Sequence, residues 1–185
     1  MGFANLTTTV TARSLTLPAI RPRSLSIQAV LLFAASFLLP AAAHLIGLPV
    51  RYLVPMHWPV ILVGLCYGWR SGLLVGAAAP ILSYVISGMP LPGILPSMTV
   101  ELATYGLVVG LCREVFRMNG WMATALSLVI GRIVFISFAI ATAAIAGSIP
   151  AYLKAAMLPG LVAAVLQFAL LPFVAIWWVN RESGK

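Results

Sequence analysis

Apolar runs of about 20 residues recur along this chain from Leu25 to Val179, and no other feature restricts the fold as much. A helix rises 1.5 Å per residue, so about 20 apolar residues cross the roughly 30 Å hydrocarbon core of a bilayer. Inside that core no water is present to satisfy backbone N–H and C=O groups, so each run must close its own hydrogen bonds as a helix. The composition agrees: 62% of the 185 residues are hydrophobic and only 8% are charged, against about 25% charged in soluble domains. The expected architecture is one all-α integral membrane domain.

Six segments follow. The first covers Leu25 to about Leu48, bent or ended near Pro40. The others run from His57 to Trp69, Ser71 to Ser87, Leu95 to Cys112, Trp121 to about Ala146, and Tyr152 to about Val179. The second is short, because 13 residues reach only about 20 Å. The alternative joins residues 57–87 into one long helix and gives five spans. Basic residues decide between them, since cytoplasmic loops collect Lys and Arg. Six spans with the N-terminus inside place Arg13, Arg21, Arg23, Arg70, Arg113, Arg117, Arg181 and Lys185 in the cytoplasm, and Arg51 and Lys154 outside, eight against two. Five spans give four against five and strand Arg70 in lipid. The expectation is a compact bundle of six transmembrane helices with both termini cytoplasmic. Residues 1–24 form a flexible basic tail, 25–180 the membrane domain and 181–185 a second tail. In that tail Gly2 lacks the Ser or Thr at position 6 that a myristoylation motif needs. The sequon at Asn5 is void in the cytoplasm, and an acid-free, Arg/Ser-rich start also resembles a transit peptide.

The net charge of +8 marks loops and not a nucleic-acid surface, because no basic run alternates with exposed aromatics. Cys66 and Cys112 fit no metal spacing and are expected to be free, buried thiols. Glycines four apart, Gly64 with Gly68, Gly72 with Gly76 and Gly106 with Gly110, allow helix backbones to approach closely in lipid.

The chemistry rests on the few polar groups at membrane depth. An ionisable side chain there costs at least about 2.5–3.5 kcal/mol and usually faces the protein interior. Glu101 and Arg132 qualify, either as a structural ion pair or as ligand contacts. Loss of ligand binding beyond any loss of folded protein on Glu101→Gln or Arg132→Ala marks the second role, and equal losses mark the first. Ser97, Glu101 and Tyr105 share a helix face, with Tyr84 and the start of the second span, His57 and Trp58, at the same level. Met89 and Met98 flank the Pro-rich loop between, and Gln167 lies in the last span. Substrate-binding candidates are therefore His57, Trp58, Tyr84, Met89, Met98, Glu101, Tyr105, Arg132 and Gln167. Catalysis is not expected. The chain has no aspartate and only two lysines, and HExxH, GxSxG and Walker A motifs are all missing. No metal or cofactor is expected either.

Four stretches carry a family resemblance: Pro55-Met56-His57-Trp58-Pro59-Val60, Gly68-Trp69-Arg70-Ser71-Gly72, Ser87-Gly88-Met89-Pro90 and Glu101-Leu102-Ala103-Thr104-Tyr105-Gly106. Together they resemble a substrate-binding (S) component of energy-coupling-factor (ECF) transporters over residues 25–180. The resemblance implies a six-helix bundle in the inner membrane of a prokaryote that takes a water-soluble vitamin or precursor at its outer face. It implies a separate coupling membrane subunit and two ATPases as partners, and toppling of the S component to release its cargo. It also implies a closing loop over Met89–Pro96 and ligand contacts at His57, Met89, Glu101 and Tyr105. The Ala-x-x-x-Ala docking face common on the family's first helix is missing here. Ala34 and Ala35 are followed four residues on by Leu38 and Leu39, and only Ala43 and Gly47 keep that spacing near the outer end. Docking then uses the Ala34-Ala35-Ser36 cluster, or the protein works alone or with a divergent partner. The alternatives are a self-sufficient carrier or channel and a membrane enzyme acting on lipid or isoprenoid. The aromatic and methionine residues suggest a flat or bulky ring, and the resemblance loosely extends to a cobalamin-related compound.

Overall fold

The computed structural model describes residues 15–47, 50–142 and 149–183, without the side chains of 50, 51, 149–157 and 159. Gly2, Asn5, Arg13 and Lys185, the expected helix ends at Leu48 and Ala146, and the side chains of Arg51 and Lys154 lie outside the described residues. The regular structure among the described residues is all helix: α1 (Pro22–Leu45), α2 (Val50–Leu53), α3 (His57–Tyr67), α4 (Trp69–Ser87), α5 (Leu95–Glu114), α6 (Gly120–Ala141) and α7 (Ile149–Ser183). Among the described residues five helices are long and apolar enough to cross a membrane, and α3 is a sixth, shorter apolar helix.

The first helix does not end at Pro40. Within α1, Ala34–Leu38 widens to a π-turn in which the Leu39 N–H reaches back five residues to the Ala34 carbonyl. A proline ring crowds the carbonyl four residues before it. One π-turn re-spaces the ladder around that clash, and the helix continues to Leu45. Ala35 and Ser36 in this turn are buried, with the Ser36 hydroxyl donating to the Leu32 carbonyl at 2.8 Å.

Residues 57–87 form two helices and not one. Gly68 breaks them with φ 86°, a left-handed value that glycine adopts without a Cβ penalty. A Cβ there would also run into the Glu114 carboxylate, which accepts the Trp69 N–H at 3.2 Å. The chain reverses at this turn, so Gly64 and Gly72, eight residues apart in sequence, both lie against the Gly106 backbone. On a single straight helix they would be about 12 Å apart. The short α3 needs no lipid-matched length, because most of its residues are buried by the surrounding helices.

The tightest packing joins α4 to α5. Gly72 and Gly106 meet backbone to backbone, with Gly76 against Leu102 and Gly110 against Trp69 on either side. Small residues drive such contacts, since lipid tails and leucine are equally apolar and burial alone gives little attraction. The apolar core runs along this junction through Val60, Leu65, Leu102, Tyr105 and Val109. Helix α6 packs on α5, and α7 closes the bundle against α6 and α3. Both cysteines are free and buried.

One end of the bundle gathers the start of α1, the α3–α4 and α5–α6 turns and the end of α7. Residues 15–24, the described part of the expected tail, are tied down there. The Leu17 N–H donates to the Cys66 carbonyl at 2.6 Å, Arg113 Nη2 to the Leu15 carbonyl at 3.0 Å, and Arg23 pairs with Glu182 at 3.1 Å. Arg181–Ser183, expected as a second tail, continue α7.

Candidate functional site

Four helices bring their polar side chains to one level. His57 opens α3, Glu101 and Tyr105 lie one turn apart on α5, Arg132 projects from α6 and Gln167 from α7. Glu101 begins its role six residues into α5, about 9 Å along the axis, so its carboxylate sits below the helix end and away from bulk solvent. Its carboxylate is 4% exposed and has three neighbours: the Tyr105 hydroxyl donates to Oε1 at 2.9 Å, Arg132 Nη1 lies 3.2 Å from the same oxygen, and His57 Nε2 stands 3.8 Å from Oε2. Arg132 and Glu101 therefore form an ion pair. In a low dielectric each charge needs the other.

Local sequence makes room for this cluster. Tyr105 is held by its main chain as well, because Ser127 Oγ on α6 donates to its carbonyl at 3.0 Å. The ring then lies against α6 at Gly131, where any Cβ would meet it. The His57 ring packs on the Tyr105 ring with centroids 5.2 Å apart. Arg132 lies 5.6 Å from the Phe135 ring centroid and passes Gly160 of α7, where a Cβ would come within 2.7 Å of Nη2.

Beside the cluster is a cavity of about 270 Å³, lined by His57, Tyr105, Arg132 and Gln167 and otherwise by apolar side chains, among them Leu128, Ile133, Leu161 and Ala164. Glu101 sits behind this lining as the counter-charge. Both ring nitrogens of His57 and Nε2 of Gln167 are buried without a hydrogen-bond partner. Native proteins rarely leave such atoms open, since each costs about 1–3 kcal/mol. Both residues belong to the wall of this cavity. Among the described residues no group of three or more His, Cys, Asp or Glu side chains converges.

The structure thus brings together His57, Glu101, Tyr105, Arg132 and Gln167 from four separate stretches of sequence. Four other candidates lie elsewhere. Trp58 is half-buried against the apolar core, its Nε1 donating to the Leu53 carbonyl at 2.8 Å. Tyr84 and Met89 are exposed on α4 and its following loop, and Met98 packs against the apolar core. Of the docking cluster, Ala35 and Ser36 turn into the bundle and only Ala34 is partly exposed. The apolar wall from α6 and α7 and the room at Gly131 and Gly160 were not legible in sequence. A leucine facing a cavity reads the same as one facing lipid.

No protein of curated function and no solved structure matches this sequence. A family model does, described as ECF transporter, substrate-specific component, and it covers residues 23–179. That span holds every side chain of the cluster and all but the ends of the helical bundle. The chain belongs to the family of ECF transporter substrate-specific components, which are transport subunits of the membrane.

Proposed function

We propose that this protein captures a water-soluble vitamin or vitamin precursor in the cavity between α3, α5, α6 and α7 and delivers it inward as the binding subunit of an ECF importer. The observation that carries this reading is the pairing of an apolar cavity with unpartnered buried groups on His57 and Gln167. A site lined mainly by apolar side chains with a few convergent polar atoms is how proteins bind small organic solutes. Six crossings, both termini in the cytoplasm and a prokaryotic inner membrane complete the proposal. In support, Arg21, Arg23, Arg70, Arg113, Arg117 and Arg181 belong to helix ends and turns on one side of the bundle, which the positive-inside rule assigns to the cytoplasm. The cavity, lined by Val54 and His57 at the start of α3, then lies toward the outer half, where a solute arrives. A volume of about 270 Å³ is at the lower end of small-ligand pockets, which run from about 300 to 1,000 Å³, and this favours a compact vitamin over a cobalamin-sized macrocycle.

Energy comes from a coupling membrane subunit and two ATPases in this proposal. Reconstitution tests it: proteoliposomes holding the chain with a coupling module are expected to accumulate a vitamin only with ATP. Equal accumulation by the chain alone would turn the reading toward a self-sufficient carrier.

A further inference from the structure

Resting on the reading of the cavity as the ligand site, we infer that its ligand class is an uncharged, ring-bearing compound with an amide-type edge, a carbonyl or ring-nitrogen acceptor beside an N–H donor. The charges of the site are already balanced. Glu101 and Arg132 carry one unit each and face one another at 3.2 Å, and the remaining lobe of Glu101 Oε1 takes the Tyr105 hydroxyl. A carboxylate or ammonium ligand would bring a further charge into an apolar cavity that holds no free counter-charge, and uncompensated buried charge is strongly unfavourable.

The open hydrogen-bonding atoms point the same way. His57, 3% exposed, turns Nε2 toward Glu101 Oε2 at 3.8 Å, beyond hydrogen-bond reach, and an imidazole with its proton on that side leaves the buried, unpartnered Nδ1 as an acceptor. Gln167, 2% exposed, leaves its Nε2 donor open. Both groups line one cavity, His57 from α3 and Gln167 from α7. A ligand edge with acceptor and donor side by side satisfies both. A carboxylate supplies no donor, and an ammonium supplies no acceptor. The other walls, Leu128, Ile133 and Leu161 among them, leave room for an apolar ring. Sites built to hydrogen-bond a polar group reject analogues lacking it, because their own buried atoms are then left open.

The test uses three compounds on one ring, benzamide, benzoate and benzylamine, with the full chain in detergent. Binding is read as concentration-dependent thermal stabilisation. Benzamide is expected to bind at least tenfold more tightly than either charged analogue. Gln167→Leu, which removes the open donor with little change of volume, is expected to erase that preference. Ala164→Phe, which fills the cavity, is expected to abolish stabilisation by all three. A charged analogue binding as well as benzamide, and losing its effect in Ala164→Phe, overturns the amide class and leaves the cavity as the ligand site. No stabilisation by any of the three, or stabilisation unchanged in Ala164→Phe, overturns both.

Discussion

Glu101→Gln is the substitution whose consequence the structure constrains most. The amide has nearly the same shape and still accepts the Tyr105 hydroxyl, so the change removes charge and little else. At 3.2 Å and an effective dielectric of about 20, the Coulomb attraction to Arg132 is about 5 kcal/mol gross. Breaking a fully buried pair costs about 3–5 kcal/mol, chiefly because the other charge is stranded. Here the Arg132 side chain remains 21% exposed, so water in the cavity solvates part of the stranded charge. The expected net loss is then about 1–3 kcal/mol, or a fall in Tm of about 3–10 °C at this chain length. Ligand stabilisation is lost as well, because Arg132 leaves its place on the cavity wall. The partner experiment is Glu101→Gln with Arg132→Met, which removes both charges. That double variant is expected to recover to within about 1 kcal/mol of the parent, since a buried ion pair exchanged for neutral groups costs little. Thermal unfolding followed by tryptophan fluorescence, on all four proteins in one detergent, reads the cycle. A Tm unmoved by Glu101→Gln, or a double variant as unstable as the sum of its singles, would refute the ion-pair reasoning.

Three further outcomes are expected. Gly106→Ala should cost about 3 kcal/mol or more, seen as a loss of folded protein on size exclusion, because its Cβ meets the rigid Gly72 backbone. Gly160→Ala should change stability by no more than about 1 kcal/mol yet weaken ligand binding about tenfold, roughly 1.4 kcal/mol, because its Cβ meets only the flexible end of Arg132 at 2.7 Å; a thermal scan reads the first and titration calorimetry the second. Maleimide labelling in intact membranes should leave the buried Cys66 and Cys112 unmodified, label Arg117→Cys only from the cytoplasmic side, and label Gly93→Cys, at an open loop position, only from outside.

How far the sequence carried the argument depends on whether a feature is written in residue type or in orientation. Helix extents were legible to within a few residues because their punctuation is chemical. The prolines between Met89 and Pro96 mark such a stop, whereas Gly68, read as a packing glycine inside the second span, is itself the break, one residue before the expected turn at 69–72. The π-turn at Ala34–Leu38 was not, since its cause, Pro40, equally allows a kink or an end. Glu101, Arg132, His57 and Gln167 stood out because polar groups at membrane depth are expensive, and the structure places all four about one centre. Tyr84, Met89 and Met98 were candidates by level along the bundle axis, and level does not fix azimuth. Tyr84 faces outward and Met98 faces the core. The walls from α6 and α7 carry no polar signal at all. Only their packing reveals them.

Mass spectrometry of whatever small molecule stays with the detergent-purified chain tests the central claim most directly. The account predicts one vitamin-class compound, near one per chain, retained by the parent protein and lost from His57→Ala and Gln167→Ala variants that keep their Tm. Phospholipid alone in all three proteins, with no stabilisation by a vitamin panel, would contradict it.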